Sequence, residues 1–240
     1  MADTKITGLP DGTPLLTDTF PVQRGGTANY EILISALATL LGTPNGWVPA
    51  GVTWTYASAT SFTIAGDYSA VLTKGMKWKA TNTTAKSGYI LSATYSAPNT
   101  TVTICGDALA AGAITANYYS TNATPSGFTH WYAYTPTFGG FSTNPVVDAK
   151  YTINGNTCLY YVTTVTAGVS NANTFTVSAP IASLYSINLV LASVIDNSTP
   201  IYTAIGVISS STITLYKDLN PTGWTTSNNK YSDFLFSYQI

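Results

Sequence analysis

Residues that could carry acid–base, nucleophilic or metal chemistry are scarce in this chain. It contains one histidine, His130, and one glutamate, Glu31, among 240 residues, of which 8% are charged. General acid–base catalysis needs positioned titratable groups, and a catalytic triad or a metal site needs several partners around a histidine. We therefore expect no enzymatic activity, and the composition indicates a structural or recognition protein.

The aspartates offer only weak alternatives. Asp196 and Asp218 would form a glycosidase pair only if the fold brought them to a fixed spacing. Asp67 and Asp107 each lie in a glycine-containing turn, but calcium requires about six to eight oxygen ligands and no acidic cluster is visible. We expect these two residues to cap turns, and we predict neither a metal nor a cofactor.

The two cysteines, Cys105 and Cys158, are far apart in the sequence and lack the close spacing of zinc or redox motifs. Free cysteine behaves as a small apolar residue, so both are predicted to be buried in strands. A disulfide between them stays an alternative.

Charge and hydropathy limit the possible partners. The net charge is −1, and the only local group of basic residues is Lys74, Lys77 and Lys79, so nucleic-acid binding is not expected. No apolar run approaches the ~20 residues of a membrane span, and no signal-peptide pattern follows Met1, which predicts cytoplasmic synthesis without membrane insertion. Because a free domain usually carries about a quarter charged residues, subunit burial is the economical explanation for this composition.

The chain divides into three blocks: residues 1–45, 46–128 and 129–240. The first block predicts a hairpin, with strands at 19–23 and 29–32, followed by a short helix at 36–41. The other two alternate apolar and polar residues between tight turns, which is typical of strands. The predicted fold is therefore all-β: a hairpin-plus-helix segment and two β-sandwich or jelly-roll-like domains.

The strands of the two larger blocks can be placed individually. In the middle block they lie at 53–56, 61–64, 70–72, 77–81, 88–94, 100–105 and 114–119. In the third block they lie at 131–135, 148–153, 157–166, 174–178, 186–194, 202–208, 212–216 and 233–239, with a hairpin at Asn154-Gly155.

Aromatic residues are the main candidates for ligand contact, because flat rings can fill a partner's pocket or stack on a sugar. Trp54, Trp78 and Tyr151 alternate with polar residues and are predicted to face a core or an interface. His130, at the junction of the second and third blocks, is expected to serve in packing or hydrogen bonding. The predicted contact residues are Trp224, in a Pro-Thr-Gly loop, with Tyr202 and Tyr216.

The first block contains four stretches in a characteristic order: 5–10 (KITGLP), 16–22 (LTDTFPV), 25–27 (GGT) and 34–37 (ISAL). Through these stretches, residues 4–41 resemble the N-terminal segment that opens many tail-fibre and minor tail proteins of bacteriophages. In that family the segment attaches the following modules to the virion. The resemblance thus implies docking through Leu9, Phe20, Val22, Tyr30 and Leu37.

The other two blocks resemble β modules of phage virion proteins. The middle block carries 62–68 (FTIAGDY), 74–78 (KGMKW), 88–90 (GYI), 100–104 (TTVTI), 118–120 (YYS) and 125–128 (PSGF). The third, similar to the C-terminal jelly roll of fibres and tailspikes, carries 134–138 (YTPTF), 149–157 (AKYTINGNT), 175–180 (FTVSAP) and 234–238 (FLFSY). In place of the family's glycine-rich stretch it has 143–148 (TNPVVD), so the resemblance implies a fold and no particular ligand.

This resemblance implies a homotrimeric tail fibre or appendage in the virion, which binds other virion proteins through its first block and contacts a glycan or protein of the host surface. Two other functions stay open. One is a purely architectural decoration or connector protein of the head or tail, without a host ligand. The other is a carbohydrate-binding module that works as a monomer.

Overall fold

The computed structural model describes the backbone of residues 19–24, 28–33, 45–197 and 202–240. Every regular element in these ranges is a β-strand, which confirms the all-β prediction. No helix long and apolar enough to cross a membrane is found in them. The predicted helix at 36–41 lies outside the described residues.

The predicted N-terminal hairpin is confirmed. It consists of β1 (Thr19–Arg24) and β2 (Ala28–Leu33), which pair antiparallel with Val22 opposite Tyr30. The hairpin forms its own two-stranded sheet.

The middle block forms a second sheet. Its strands are β3 (Val48–Pro49), β4 (Trp54–Ser58), β5 (Ser61–Ala65), β6 (Lys77–Asn82), β7 (Thr84–Ser96), β8 (Asn99–Gly106) and β9 (Ala113–Ser120). Since β9 pairs with both β4 and β6, six strands close into a barrel in the order β9-β4-β5-β8-β7-β6. The two-residue β3 also pairs with β9, at Tyr118 and Tyr119, beyond the residues of β9 that pair with β4.

The barrel interior is filled by large side chains from alternate positions. Trp54 stacks on Phe62 at 4.2 Å between ring centroids, and Trp78 meets Phe62 edge-on. All three are buried, with exposed fractions of 1% or less. Trp54 and Trp78 thus face a core, as the sequence pattern predicts.

The third block forms an eleven-stranded sheet that curls on itself. Its strands are β10 (Tyr132–Ala133), β11 (Phe138–Gly139), β12 (Phe141–Thr143), β13 (Val146–Asn154), β14 (Thr157–Thr166), β15 (Gly168–Ser170), β16 (Phe175–Ser178), β17 (Ile187–Asp196), β18 (Tyr202–Ser209), β19 (Thr212–Leu215) and β20 (Asn229–Gln239). The main path runs β10-β13-β14-β20-β17-β18-β19-β16-β11. In β20, exposed and buried residues alternate along the whole strand, so Phe234, Phe236 and Tyr238 face the concave core.

The hairpin predicted at Asn154-Gly155 is present. It joins β13 to β14 through a two-residue loop, Gly155-Asn156, with Asn154 opposite Thr157. The predicted strand at 157–166 has the bounds of β14.

One predicted strand is wrong. Residues 70–72 form a turn, because the amides of Val71 and Leu72 both donate to the carbonyl oxygen of Tyr68, at 3.0 and 2.9 Å. Leu72 is buried in the barrel, which explains the apolar character of this stretch. The predicted strand at 131–135 is reduced to the two residues of β10.

The barrel has a hydrophobic core of its own, and Tyr89 of the barrel belongs to the separate core of the curled sheet, although the exact division of the chain into domains stays a prediction. Tyr89 of β7 and Phe128 of the connecting segment pack with Tyr132 of β10 and Tyr151 of β13. The Tyr151 hydroxyl accepts a hydrogen bond from the amide of Gly106 in the barrel at 2.8 Å. The connection between the two sheets is therefore packed and hydrogen-bonded.

Candidate binding cleft

A cleft of about 710 Å³ lies where the barrel meets the curled sheet. Residues 73–77, ahead of and at the start of β6, line one side, and the turn of the β13–β14 hairpin lines the other. His130 and Trp131, from the segment that connects the two sheets, complete the lining. The cleft is thus built from parts of the chain that are distant in sequence.

Close main-chain contact fixes the two sides relative to each other. Gly75 has a φ of +85°, and a Cβ on it would approach the carbonyl oxygen of Gly155 to 3.0 Å. Only glycine tolerates both the backbone conformation and this approach. Lys74 donates from its Nζ to the carbonyl oxygen of Ile240, which ties the same loop to the end of β20.

Tyr89 forms part of the floor. Its hydroxyl lies 3.0 Å from Thr152 Oγ1 on β13 and donates to the carbonyl oxygen of His130 at 3.4 Å. Burial raises the pKa of Tyr89, so the phenol stays neutral and can act as a donor. Tyr89 also pairs with Lys77 of β6, so it connects β6, the β13–β14 hairpin and the connecting segment.

Trp131 presents its indole to solvent at the cleft. Its neighbour Tyr132 is buried, with its hydroxyl 3.0 Å from Ser87 Oγ in the barrel. Because successive side chains of an extended segment point to opposite sides, anchoring Tyr132 turns Trp131 outward, with 41% of its surface exposed. The Nζ of Lys150 lies 5.9 Å from the centre of the Trp131 ring.

The lining is basic, although the whole chain has a net charge of −1. Lys74 and Lys77 contribute, and no aspartate or glutamate occurs among the described residues around the cleft. Burial lowers the pKa of Lys77, which means that its ammonium has lost part of its hydration. In the described ranges both ion pairs involve Asp196, so no carboxylate there lies within ion-pair distance of Lys77.

The prediction of Trp224 as an exposed contact residue is wrong. Trp224 lies in a loop, as expected, but only 3% of it is exposed. Its Nε1 donates to the carbonyl oxygen of Leu215 at 2.6 Å, and its ring packs against Phe175. The loop folds over the concave core, and the indole fills that core.

The other predicted contact residues do not line the cleft. Tyr216 is half-buried just after β19, and its amide donates to the carbonyl oxygen of Ile205. Tyr202 begins β18, and its side chain lies outside the described residues. Of the docking candidates, Phe20, Val22 and Tyr30 lie on the β1–β2 hairpin, whereas Leu9 and Leu37 fall outside the described ranges.

Sequence reasoning missed Trp131 and Lys77 as site residues. Two signals were available: the only local grouping of lysines includes Lys77, and the lone histidine sits beside Trp131 at the junction of two blocks. His130 contacts Phe128 edge-on at 5.3 Å and its carbonyl oxygen accepts from the Tyr89 hydroxyl, but its ring is exposed, so its role in packing or hydrogen bonding stays a prediction.

The cysteines and acidic residues have structural partners. Both cysteines are free, and burial raises the pKa of Cys105 to about 12 and that of Cys158 to about 11, so both thiols stay protonated. Asp67 caps its turn by accepting from the amide and hydroxyl of Ser69, as predicted. Asp107 instead accepts from the amide of Ser87 on the neighbouring strand β7.

No group of three or more histidine, cysteine, aspartate or glutamate side chains is placed to hold a metal ion in the part of the chain that the structure describes. The cleft therefore offers hydroxyl and amide groups, two lysines and an indole for binding. Comparison of the chain with protein-family models, curated proteins and solved structures finds no match.

Proposed function

We propose that this chain is a bacteriophage virion structural protein, a homotrimeric tail fibre or appendage that contributes to attachment to the host surface. The observation that carries the proposal is the order of its parts. A segment that resembles the docking segment of tail fibres, and contains the β1–β2 hairpin, precedes two firmly connected β modules. In this proposal the protein is assembled into virions in the host cytoplasm.

The surface of the curled sheet supports an assembled state. Several of its large apolar side chains are more than half exposed: Val146, Val165, Leu184, Tyr185, Leu219 and Leu235. Exposed apolar side chains gathered on one module are typical of surfaces that another protein covers. A trimer would cover part of them and would account for the low charge.

Attachment requires an accessible binding feature, and the cleft supplies one. Three copies of a weak site on one particle would gain avidity without any new contact. The host ligand would then engage the cleft while the N-terminal block holds the protein on the virion.

The test of the proposal combines mass and incorporation. Light scattering of the purified chain should give about three times 25.3 kDa. A tagged chain should be found in virions from infected cells, and deletion of residues 1–45 should abolish its incorporation without unfolding the barrel and the curled sheet. A folded deletion variant that still enters virions would contradict the docking function.

The exposed apolar residues also suit a second function, that of an architectural decoration or connector protein without a host ligand. Purified protein should bind host cells under the first proposal and only virions under the second. A monomer that binds saccharide but never enters virions would indicate a carbohydrate-binding module.

A further inference from the structure

We propose that the cleft between the barrel and the curled sheet binds an acidic saccharide, with a sugar ring against Trp131 and an anionic group at Lys77. The biological meaning of this site, host recognition, rests on the proposed function. Binding itself does not depend on it and can be measured on the purified chain.

The first argument is the mixture of one exposed ring with many hydroxyl groups. Trp131 offers a flat apolar surface at the cleft, and the lining around it mixes polar side chains with apolar ones: Thr73, Thr121, Thr152 and Asn154 beside Met76, Ile153 and Leu159. Pockets for apolar ligands are lined mainly by hydrophobic and aromatic side chains, which is not the case here. A saccharide combines an apolar ring face with a rim of hydroxyls, and threonine and asparagine can donate to and accept from these.

The positive charge at the cleft favours an anionic ligand. Lys77 is half-buried and partly dehydrated, and among the described residues no carboxylate compensates it. A partly buried charge without a partner costs free energy, which a bound anion would recover. Lys74 also lines the cleft but donates to the main-chain oxygen of Ile240, whereas Lys150 lies beside Trp131, so Lys77 and Lys150 supply the local charge that favours an anionic ligand.

The third argument is rigidity. The two sides of the cleft are held by the Gly75–Gly155 contact and the hydrogen bond between Tyr89 and Thr152. Trp131 is fixed through its buried neighbour Tyr132. A ligand that enters a preformed site pays less for ordering the protein, so even a small saccharide can bind measurably.

The charges are too few for a nucleic acid. Of the chain's nine basic residues, Lys74, Lys77 and Lys150 lie at or beside the cleft. Nucleic-acid binding relies on many phosphate contacts along an extended basic surface. An isolated carboxylate or phosphate on a sugar matches two or three lysines better.

The probe is an array of immobilised oligosaccharides that carry uronate, sialate or phosphate groups, each paired with its uncharged methyl-ester or dephosphorylated counterpart. We expect the purified full chain to prefer at least one acidic member over its neutral partner by about tenfold or more. Affinity for that member is then measured by titration calorimetry with the soluble oligosaccharide.

Two variants and two matched controls connect binding to the cleft. Lys77→Gln and Trp131→Ala should each weaken binding by about tenfold, which corresponds to one good contact. Lys86→Gln removes the same charge from a half-buried lysine on β7, and Tyr95→Ala removes a ring of similar exposure (42%) from the same strand. Both controls should bind like the original chain, and Trp131→Phe should retain most of the affinity.

The inference fails if no acidic saccharide is preferred over its neutral partner, or if Lys77→Gln and Lys86→Gln weaken binding equally. It also fails if poly-glutamate, and no saccharide, binds in a manner that depends on Lys77, since the site would then serve an acidic peptide. Specific glycan binding by a protein that is absent from virions would contradict the proposed function but support a saccharide site in the cleft. Virion incorporation without glycan binding would contradict the assignment of the cleft and leave the proposed function in place.

Discussion

The hydroxyl of Tyr89, on β7 of the barrel, lies 3.0 Å from the hydroxyl of Thr152, on β13 of the curled sheet. This hydrogen bond crosses the junction of the two sheets beneath the cleft. It is surrounded by the rings of Phe128 and Tyr132, which pack edge-on against Tyr89 at 5.1 and 5.9 Å. The two sheets should therefore unfold together.

Tyr89→Phe tests this connection. The substitution keeps the ring and removes the hydrogen bond, so we expect a loss of about 1 kcal/mol in the free energy of unfolding. The melting temperature should fall by about 2–4 °C, with a single transition retained. Thermal unfolding followed by circular dichroism measures both, and Tyr95→Phe, at an exposed position, is the control. Two separated transitions in the original chain would contradict cooperative unfolding of the barrel and the curled sheet.

A second prediction concerns the buried ion pair of the curled sheet. Lys230 Nζ lies 2.7 Å from Asp196 Oδ1, with side-chain exposures of 1% and 5%. Lys230→Met leaves this carboxylate without its close partner, which should cost about 3–5 kcal/mol. Lys217, 3.9 Å from the same carboxylate and more exposed, is the matched control, and Lys217→Met should cost at most about 1 kcal/mol. Urea unfolding separates the two, and equal costs would contradict the prediction.

The same pair makes stability depend on pH. Burial disfavours the Asp196 carboxylate, but hydrogen bonds from Lys230 and Thr225 outweigh burial and lower its pKa. The folded protein thus binds this proton less readily than the unfolded chain, whose aspartates titrate near about pH 3.9. The contribution is present above that pH and is lost as pH falls through the lowered pKa. Asp196→Asn should flatten the acid side of the stability curve measured by urea unfolding, and an unchanged slope would count against this assignment.

Removal of the Tyr160 hydroxyl is expected not to destabilise the fold, unlike the substitutions above. Its hydroxyl is buried and has no hydrogen-bond partner among the described residues. Tyr160→Phe removes an unsatisfied group, so stability should stay constant or rise by about 1 kcal/mol. Tyr134→Phe is the control, because its hydroxyl lies 2.8 Å from Ser178 Oγ and donates to the carbonyl oxygen of Ala179, and its loss should destabilise by about 1–2 kcal/mol. Equal shifts of the urea midpoint in the two variants would contradict the prediction that only Tyr134→Phe destabilises the fold.

Gly88 is predicted to be essential for barrel closure. It lies opposite Trp78 on one side and Gly106 on the other. A Cβ at this position would collide with the carbonyl oxygen of Cys105 and with the indole of Trp78. Gly88→Ala should therefore cost about 3 kcal/mol or more, since overpacking forces the backbone to shift. Thr94→Ala, exposed on the same strand, should change unfolding in urea by less than about 1 kcal/mol.

Long strands with regular alternation could be predicted from the sequence. The bounds of β14 were predicted without error, and β20 was found although its first residues were not, since Asn229 and Lys230 look like part of a polar loop. The strands β3, β11, β12 and β15 were missed, because two or three residues carry no readable period.

The candidate site could be predicted only in part. Trp131 and Lys77 were visible as unusual residues, but the cleft exists because Gly75 meets Gly155, and no local pattern specifies that contact. For Trp224, the local structure could be predicted but the position of the side chain could not. Its loop signature was read correctly, but the long-range hydrogen bond to Leu215 determines where the indole lies.

The closed barrel and the short outer strands also limit how copies of this protein can associate. In the described ranges the barrel closes because β9 pairs with both β4 and β6, and the main path of the curled sheet ends in β10 and β11, of two residues each, with the three-residue β12 off this path. Strands this short give a neighbouring chain little backbone on which to polymerise. The β1–β2 hairpin differs, because in the part of the chain that the structure describes each of its six-residue strands pairs only with the other. Recruitment of this chain by strand addition is therefore expected at the hairpin, while the two larger modules would associate with neighbours through side chains, such as the exposed apolar residues of the curled sheet.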